Sequence, residues 1–571
     1  MKQKQHLILT YKKLFGLILA FIIISFFLGC QTSEEKMTEE LKTFITNFES
    51  KAAPAYKDYA LAYFNATISG KTEDYDKSSD LQIKYTKIYS NKDDFAILKK
   101  IKESNSIKDE LLNRQLDVLF RAYSKYQIVD QKLEAIVKLG TEIENRYSTF
   151  RAEVGGKKLT DNQIEEKLKN STDSKTLQET WLASKKIGKV VADDIIKLVK
   201  MRNETARELG YSNYHEMSLK LAEQDPKDID VIFDDLYERT KNVFAQVKNE
   251  MDVFLTKRYS ISKDGLMPWH YQNRFFQEAP KIYQVNLDSY YKNKDIVELT
   301  QKYFAGIGLQ IDDMIAKSDL FEKEVKYQHA YCTDIDRLGD IRVVCNVKPN
   351  YNWMNTMLHE YGHAVYSKNI DRNLPWTLRE EAHTFTTEAI AMLFGRFASN
   401  PQWLTDVVGI SQTEKDKIAE ASFNSLRLEQ LVFSRWAQVV YRFEKSMYEN
   451  PDQDLNKLWW DLVEKYQLLK RPENRNEPDW ASKIHIALYP AYYHNYMLGE
   501  LLASQLSFYI NKNLLNSDDP MNQSFNGKTD VGKYLKDKIF DEGNKLYWND
   551  MIEKATGEKL TAKYYAQQFI K

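Results

Sequence analysis

Along almost the whole chain beyond residue 36, apolar positions recur every three or four residues, a period that predicts helices. From Lys36 to about Asn145 the pattern is helical with many exposed lysines and acids. Tyr56, Tyr59, Tyr63 and Phe64 fall at helical spacing there and read as an aromatic core stripe. Thr160 and Thr172 mark helix starts, and 176–211 is a long amphipathic helix ending at Gly210. Helical patterning continues over 225–325, broken near Asp264-Gly265 and Pro268. The aromatic and polar run 269–276 fits either a pocket wall or the edge of a core helix. The period then changes. Residues 326–335 and 340–347 are short and β-branched on either side of Leu338-Gly339, which predicts a small antiparallel hairpin. Helices resume at 352–370 and, after Leu374-Pro375, at 378–397; they continue from Glu414 to the end, with 480–506 densest in tyrosine and histidine. The 571 residues hold only 20 glycines and 12 prolines, and no stretch reads as a linker. The chain is expected to be one large, mainly α unit over 37–571.

The N-terminus follows a different pattern. Lys2, Lys4, Lys12 and Lys13 form a basic head, and Leu14 to Leu28 is an almost purely apolar run, too short for a comfortable membrane span. Residues 1–29 therefore read as a signal peptide. Phe27-Leu28-Gly29-Cys30 resembles a bacterial lipobox, so Cys30 is the expected lipidation site and 30–36 a tether; the alternative is an uncleaved N-terminal anchor. This reading predicts a lipid anchor in the membrane and a cell-envelope location, on the periplasmic or the surface side.

Charge and cysteine usage narrow the classes further. The chain carries 81 basic and 82 acidic residues, and removing the four lysines of the leader leaves 77 against 82, a net charge of −5. That balance argues against nucleic acid as a partner. Besides Cys30 there are Cys332 and Cys345, which flank the predicted hairpin and are expected to pair as a disulfide in an oxidising compartment.

The chemistry centres on 352–370, which contains His359-Glu360-Tyr361-Gly362-His363. Histidines four apart share one helix face, so both imidazoles can converge on one metal ion, and Glu360 can reach a water at the metal's remaining position. The ordinary alternative is a helix with two hydrogen-bonded histidines. Met354, Met357, Leu358, Ala364 and Val365 make the helix apolar, and Gly362 allows a close approach. A catalytic zinc wants three protein ligands, the third a carboxylate on a nearby helix. Glu388 lies 25 residues beyond His363 among Ala389, Ile390, Met392 and Leu393, where a carboxylate is costly unless it is paired or metal-bound. Glu380 and Glu381 are its rivals. Glu360 would act as general base. His485, Tyr489, Tyr493 and Tyr496 recur at spacings of four, four and three, forming one polar stripe able to donate to an oxyanion.

These stretches resemble the angiotensin-converting-enzyme family of zinc dipeptidyl carboxypeptidases and, more distantly, the thimet-oligopeptidase family. The HEYGH segment followed by LPWTLREEAHTFTTEAI is similar to the family's HEMGH and the segment carrying its third ligand, which implies Glu388. SKIHIALYPAYYHNYM is similar to the family's AKFHI…PYIRYF, implying that His485 and Tyr496 stabilise the transition state and that Lys483 and Tyr493 hold the substrate's terminal carboxylate. QHAYC resembles the family's CHAS, implying backbone contacts to substrate from His329 and Ala330 on an edge strand. The resemblance also implies one Zn²⁺ per chain and a two-lobed, all-helical fold around a deep central channel that admits short peptides, with a small hairpin beside the metal helix and a monomeric state.

Several positions depart from the family pattern. One residue is added between His363 and Leu374 and another between His485 and Tyr493. The family's chloride-binding arginine is Asn495, which puts chloride activation in doubt. An aspartate four residues past the third ligand is Met392, so a partner for a metal-bound histidine must come from elsewhere. The carboxylate-binding glutamine has no clean counterpart other than Gln272. The activity expected is the release of C-terminal dipeptides from short peptides. The alternatives are an oligopeptide endopeptidase with the same chemistry and a catalytically dead peptide-binding lipoprotein; the presence of Glu360 speaks against the last.

Overall fold

The computed structural model describes residues 33–128, 130–283, 285–519 and 522–570, and the leader at 1–29 and Cys30 lie outside them. Helices dominate, as the periodicity predicts. The chain begins with a long helix α1 (Ser33–Ser69) packed antiparallel on α2 (Thr72–Tyr89). A short hairpin that the sequence pattern did not reveal follows, β1 (Ala152–Val154) and β2 (Lys157–Leu159), turned by Gly155 and Gly156 at φ +58° and +74°. Thr160 then caps the next helix through a reciprocal box with Gln163. The long amphipathic helix α3 (Ser174–Glu208) is capped by Asp173 rather than Thr172, and Gly210 follows its end at φ +89°.

Two hydrophobic cores account for the lobes. The larger draws on residues from Leu139 to Phe569, including both helices of the metal site. The smaller gathers Leu41, Phe44, Phe48, Leu98, Leu116 and Tyr123 from the first helices and closes over Trp376 of the large lobe. The aromatic stripe of α1 performs the docking. Tyr56 packs on Trp376 and donates to the carbonyl of Asp334 at 2.9 Å, while Phe64 is buried with Ile335 and Val344. Arg337 stacks on the Trp376 and Tyr56 rings, joining the predicted hairpin to both lobes. Among the described residues no helix is long and apolar enough to cross a membrane.

That hairpin is formed by β3 (Tyr331–Asp334) and β4 (Ile341–Val344), antiparallel, with its turn at Arg337 to Gly339. It corrects the expected disulfide. Cys332 pairs across the ladder with Val343 and Tyr331 with Val344, so Cys345 is a diagonal neighbour of Cys332 instead of its direct partner. Diagonal positions hold their Cβ atoms about 7 Å apart, too far for a bridge, and among the described residues both thiols are free.

Candidate metal centre and substrate cleft

The metal helix α4 (Tyr351–Lys368) begins where the Asn350 side chain accepts from the Trp353 amide, and its inner face buries Met354, Met357, Leu358, Tyr361 and Val365. Helix α5 (Thr384–Gly395) lies against it. The contact depends on Gly362: a Cβ there would stand 2.8 Å from the Ala391 Cα, so the backbones meet where any side chain would hold them apart. This close approach brings Glu388 over the two histidines. His359 Nε2 and His363 Nε2 lie 3.7 and 4.0 Å from Glu388 Oε2, and the three donor atoms fall within 4.8 Å of one another. A tetrahedral zinc with bonds near 2.1 Å holds its ligands about 3.4 Å apart, so the trio stands somewhat wider than a bound ion would leave it and closes on one by side-chain shifts of up to about 1 Å. The rivals for third ligand are engaged elsewhere. Glu380 pairs with Arg337, and Glu381 accepts from Ser367 Oγ.

Electrostatics favour a cation at this point. Burial pushes His359 down to about 4 and His363 well below its usual value, leaving neutral imidazoles with free lone pairs. Glu388 is pushed up to about 7 by burial and the charge of Glu500, and Glu360 up to about 8 by burial and Glu388. Two crowded carboxylates without a counter-charge resist ionisation, and a divalent ion between them removes that penalty. Glu360 makes no hydrogen bond among the described residues, which leaves its oxygens free to take a proton. The centre is walled in by protein yet open to water: the side chains of His359 and Glu388 remain 29% and 17% accessible, as residues facing an interior cleft must be.

The partner that Met392 cannot supply is found one residue before the third ligand. Thr387 Oγ1 lies 2.7 Å from His363 Nδ1 and fixes that ring with Nε2 toward the centre. Met392 itself turns to α7 (His494–Asn513), where a Cβ on Gly499 would come within 3.1 Å of its sulfur.

The tyrosine and histidine stripe is not one helix. His485 sits on the short helix Ile484–Leu488, and a break with Ala491 at φ +54° separates it from α7. Within this break the buried carboxylate of Glu444 accepts from the Ala491 amide at 3.1 Å. Tyr489, read as part of the stripe, is 53% exposed. The remaining three still assemble. The His485 ring is 5.2 Å from Tyr493, and Tyr493 is 5.3 Å from Tyr496, which feels the charge of Glu388. Among the described residues His485 Nδ1 is buried without a partner, and burial followed by the nearby Lys483 lowers the ring to about 4.

Lys483 is buried next to this group. Its Nζ donates to Gln277 Oε1 at 2.6 Å and lies 5.5 Å from the rings of Tyr493 and Trp436, while Trp436 Nε1 donates to the Tyr493 hydroxyl at 2.8 Å. The glutamine of this cluster is thus Gln277. Gln272, the residue picked from sequence, is a buried turn residue at φ +61° whose Oε1 accepts from the Lys281 amide. The stretch 269–276 is a single 3₁₀ turn followed by irregular chain with a second left-handed residue at Phe276, a path that no periodicity announces. His329 and Ala330 lie just ahead of β3, which starts at Tyr331, and so approach the strand without belonging to it. β3 and β4 both pack on α4, which sets the hairpin beside the metal helix.

Comparison with known proteins agrees with this geometry. Residues 35–569 match the peptidase family described as angiotensin-converting enzyme. An angiotensin-converting enzyme from Theromyzon tessulatum is 21% identical over 491 residues, covering 80% of this chain and 79% of that protein. The angiotensin-converting enzyme-like protein Ace3 of Mus musculus is 22% identical over 490 residues, 79% of this chain and 65% of that protein. An inactive angiotensin-converting enzyme-related protein of Caenorhabditis elegans is 21% identical over 431 residues, and there the chain spans about half, 47%, of its relative. With a histidine, histidine and glutamate donor set that fits zinc and a match over nearly its whole length, the chain belongs to the angiotensin-converting-enzyme family of zinc metallopeptidases.

Proposed function

We propose that the protein is a peptidyl-dipeptidase that removes C-terminal dipeptides from short peptides outside the cytoplasm, acting as a monomer anchored in the membrane through a lipid on Cys30. The observation that carries this reading is the unbroken path from clamp to centre: Lys483 beside Tyr493, Tyr493 beside Tyr496, and Tyr496 within the field of Glu388. A substrate whose free carboxylate is held by Lys483, Gln277 and Tyr493 is fixed at its C-terminal end, and the bond presented to Glu360 lies a set number of residues away.

Zinc held by His359, His363 and Glu388 would supply Lewis-acid activation of a water and of the scissile carbonyl. Glu360 takes the proton of the attacking water and returns it to the departing amine, a role suited to a base with an affinity raised toward neutrality. The Tyr496 hydroxyl and the His485 ring are the donors toward the developing oxyanion. Asn495, where the family pattern has an arginine, accepts from Gln224 Nε2 at 2.8 Å, and this neutral pairing supports activity that does not require chloride.

The test is product identification with zinc-loaded protein and defined peptides of five to ten residues. Successive C-terminal dipeptides from free-acid peptides, with amidated peptides cut about ten- to 150-fold less efficiently, are the expected result. Equal cleavage of amidated peptides at internal bonds would establish an endopeptidase instead. No cleavage by protein that binds zinc would leave a peptide-binding lipoprotein.

A further inference from the structure

The break between the helix Ile484–Leu488 and α7 separates Lys483 and His485 from Tyr493 and Tyr496. Its own residues do little to fix it. Tyr489 is 53% exposed, Pro490 has no amide to bond, and Ala491 keeps a left-handed φ of +54° that a residue with a Cβ holds only where its surroundings enforce it. The site nevertheless depends on the break. In one continuous helix His485 and Tyr493, eight residues apart, would be displaced by about 12 Å along the axis, whereas their rings lie 5.2 Å apart.

Two buried charged side chains from distant parts of the chain grip the break. Arg202, on α3, donates from Nη1 to the Ala487 carbonyl at 2.9 Å. Glu444, on helix α6 (Gln412–Glu449), accepts from the Ala491 amide at 3.1 Å. That carbonyl and that amide stand four residues apart, so they are the two halves of the hydrogen bond that would carry one α-helix through the turn. Each half is taken by a side chain instead. Burial pushes the Glu444 carboxyl up, and the Ala491 amide and the charge of Arg202 draw it back, so the two groups act within one field. Arg202 Nη1 also donates to the Tyr448 hydroxyl at 3.2 Å, one turn past Glu444 on α6. About two turns before Glu444, the same helix carries Trp436, which holds the Tyr493 hydroxyl.

We infer that Arg202 and Glu444 are positioning residues for the donors of the site: by splitting one helical hydrogen bond between them, they hold open the break that sets Tyr493 and Tyr496 against Lys483 and His485. The inference rests on the reading of Tyr496 and His485 as donors toward the oxyanion, because their alignment matters to turnover only if both meet one substrate. Neither Arg202 nor Glu444 touches substrate in this arrangement. Without them the free carbonyl and amide can pair with each other or with water, and the 485-to-496 spacing is no longer set.

The experiment measures kcat, zinc affinity and melting temperature for Arg202→Met/Glu444→Leu, a pair that removes both charges and leaves neither unpaired in the interior. The expected result is a melting temperature close to the parent's, unchanged zinc affinity by chelator competition, and kcat lower by about 10²-fold. In a Tyr496→Phe background the same pair should cost about tenfold at most, because the donor it aligns is already gone. If the pair does not fold, Glu444→Met against Glu444→Gln gives the same decision: both are close to glutamate in size, and only glutamine, which keeps an acceptor for the Ala491 amide, should retain kcat. Parent turnover in the folded pair, losses that multiply with Tyr496→Phe, or a glutamine variant no better than the methionine one would overturn this inference and leave the oxyanion reading intact. Parent turnover in Tyr496→Phe alone would overturn that reading, and this inference with it.

Discussion

Thr387 Oγ1 stands 2.7 Å from His363 Nδ1, a hydroxyl in the place where histidine ligands of zinc often meet a carboxylate. The threonine is fixed by its neighbour: residue 388 must point at the centre, so residue 387, about 100° around α5, comes to the rear of the same imidazole. A neutral acceptor orients the ring without adding negative charge to a site that already holds Glu360, Glu388 and Glu500.

Thr387→Val should therefore weaken zinc binding about ten- to 100-fold, read by competition with a chelator of known affinity, and Thr387→Ser should restore most of it. An unchanged affinity in the valine variant would mean that α4 packing alone fixes the ring.

Lys483 gives the site a pH limit on its alkaline side. Burial first, and then the charge of Arg274, lower its ammonium to about 8. The protonated form is the one that pairs with a carboxylate, so kcat/KM on free-acid peptides should fall as pH rises through about 8. Amidated peptides should lack that limb. Lys483→Arg should move it out of range, because a guanidinium stays charged. A profile identical for free and amidated peptides would remove Lys483 from substrate binding.

How much of this was readable beforehand depends on range. His359, Glu360 and His363 share one helix turn, so spacing alone placed them. Glu388 needed only the rule that a carboxylate on an apolar helix must have a partner. Gln277 and the Ala491 break could not be read in that way. Both depend on left-handed residues, at 272, 276 and 491, that are not glycine and leave no trace in the hydrophobic pattern. The expected disulfide failed for a related reason: two cysteines flanking a turn predict a bridge only if the register is known, and the register here sets them diagonal.

That register makes its own prediction. Unfolding the protein without reductant should expose both Cys332 and Cys345 to alkylation, with each modified peptide found by mass. In the native protein both should react slowly, because burial and the charge of Glu360 push the two thiols up. A linked Cys332–Cys345 peptide would show that the hairpin shifts register in solution.

Gly362 provides the sharpest test of how the centre is built. An added methyl meets the Ala391 Cα at 2.8 Å and the Ile390 carbonyl oxygen at 3.2 Å, both backbone atoms that no rotamer change can clear. Gly362→Ala must then separate α4 from α5, at a cost of about 1–3 kcal/mol for overpacking. The same displacement carries Glu388 away from His359 and His363, so zinc affinity should fall together with the melting temperature of the metal-free protein. Gly140 is the control. It lies within the helix Asp130–Thr149 with nothing within 4 Å of an added Cβ, so Gly140→Ala should stabilise by about 0.5–1 kcal/mol through the unfolded chain and leave zinc binding alone. If Gly362→Ala bound zinc as the parent does, the contact between α4 and α5 would not be what sets the ligand geometry.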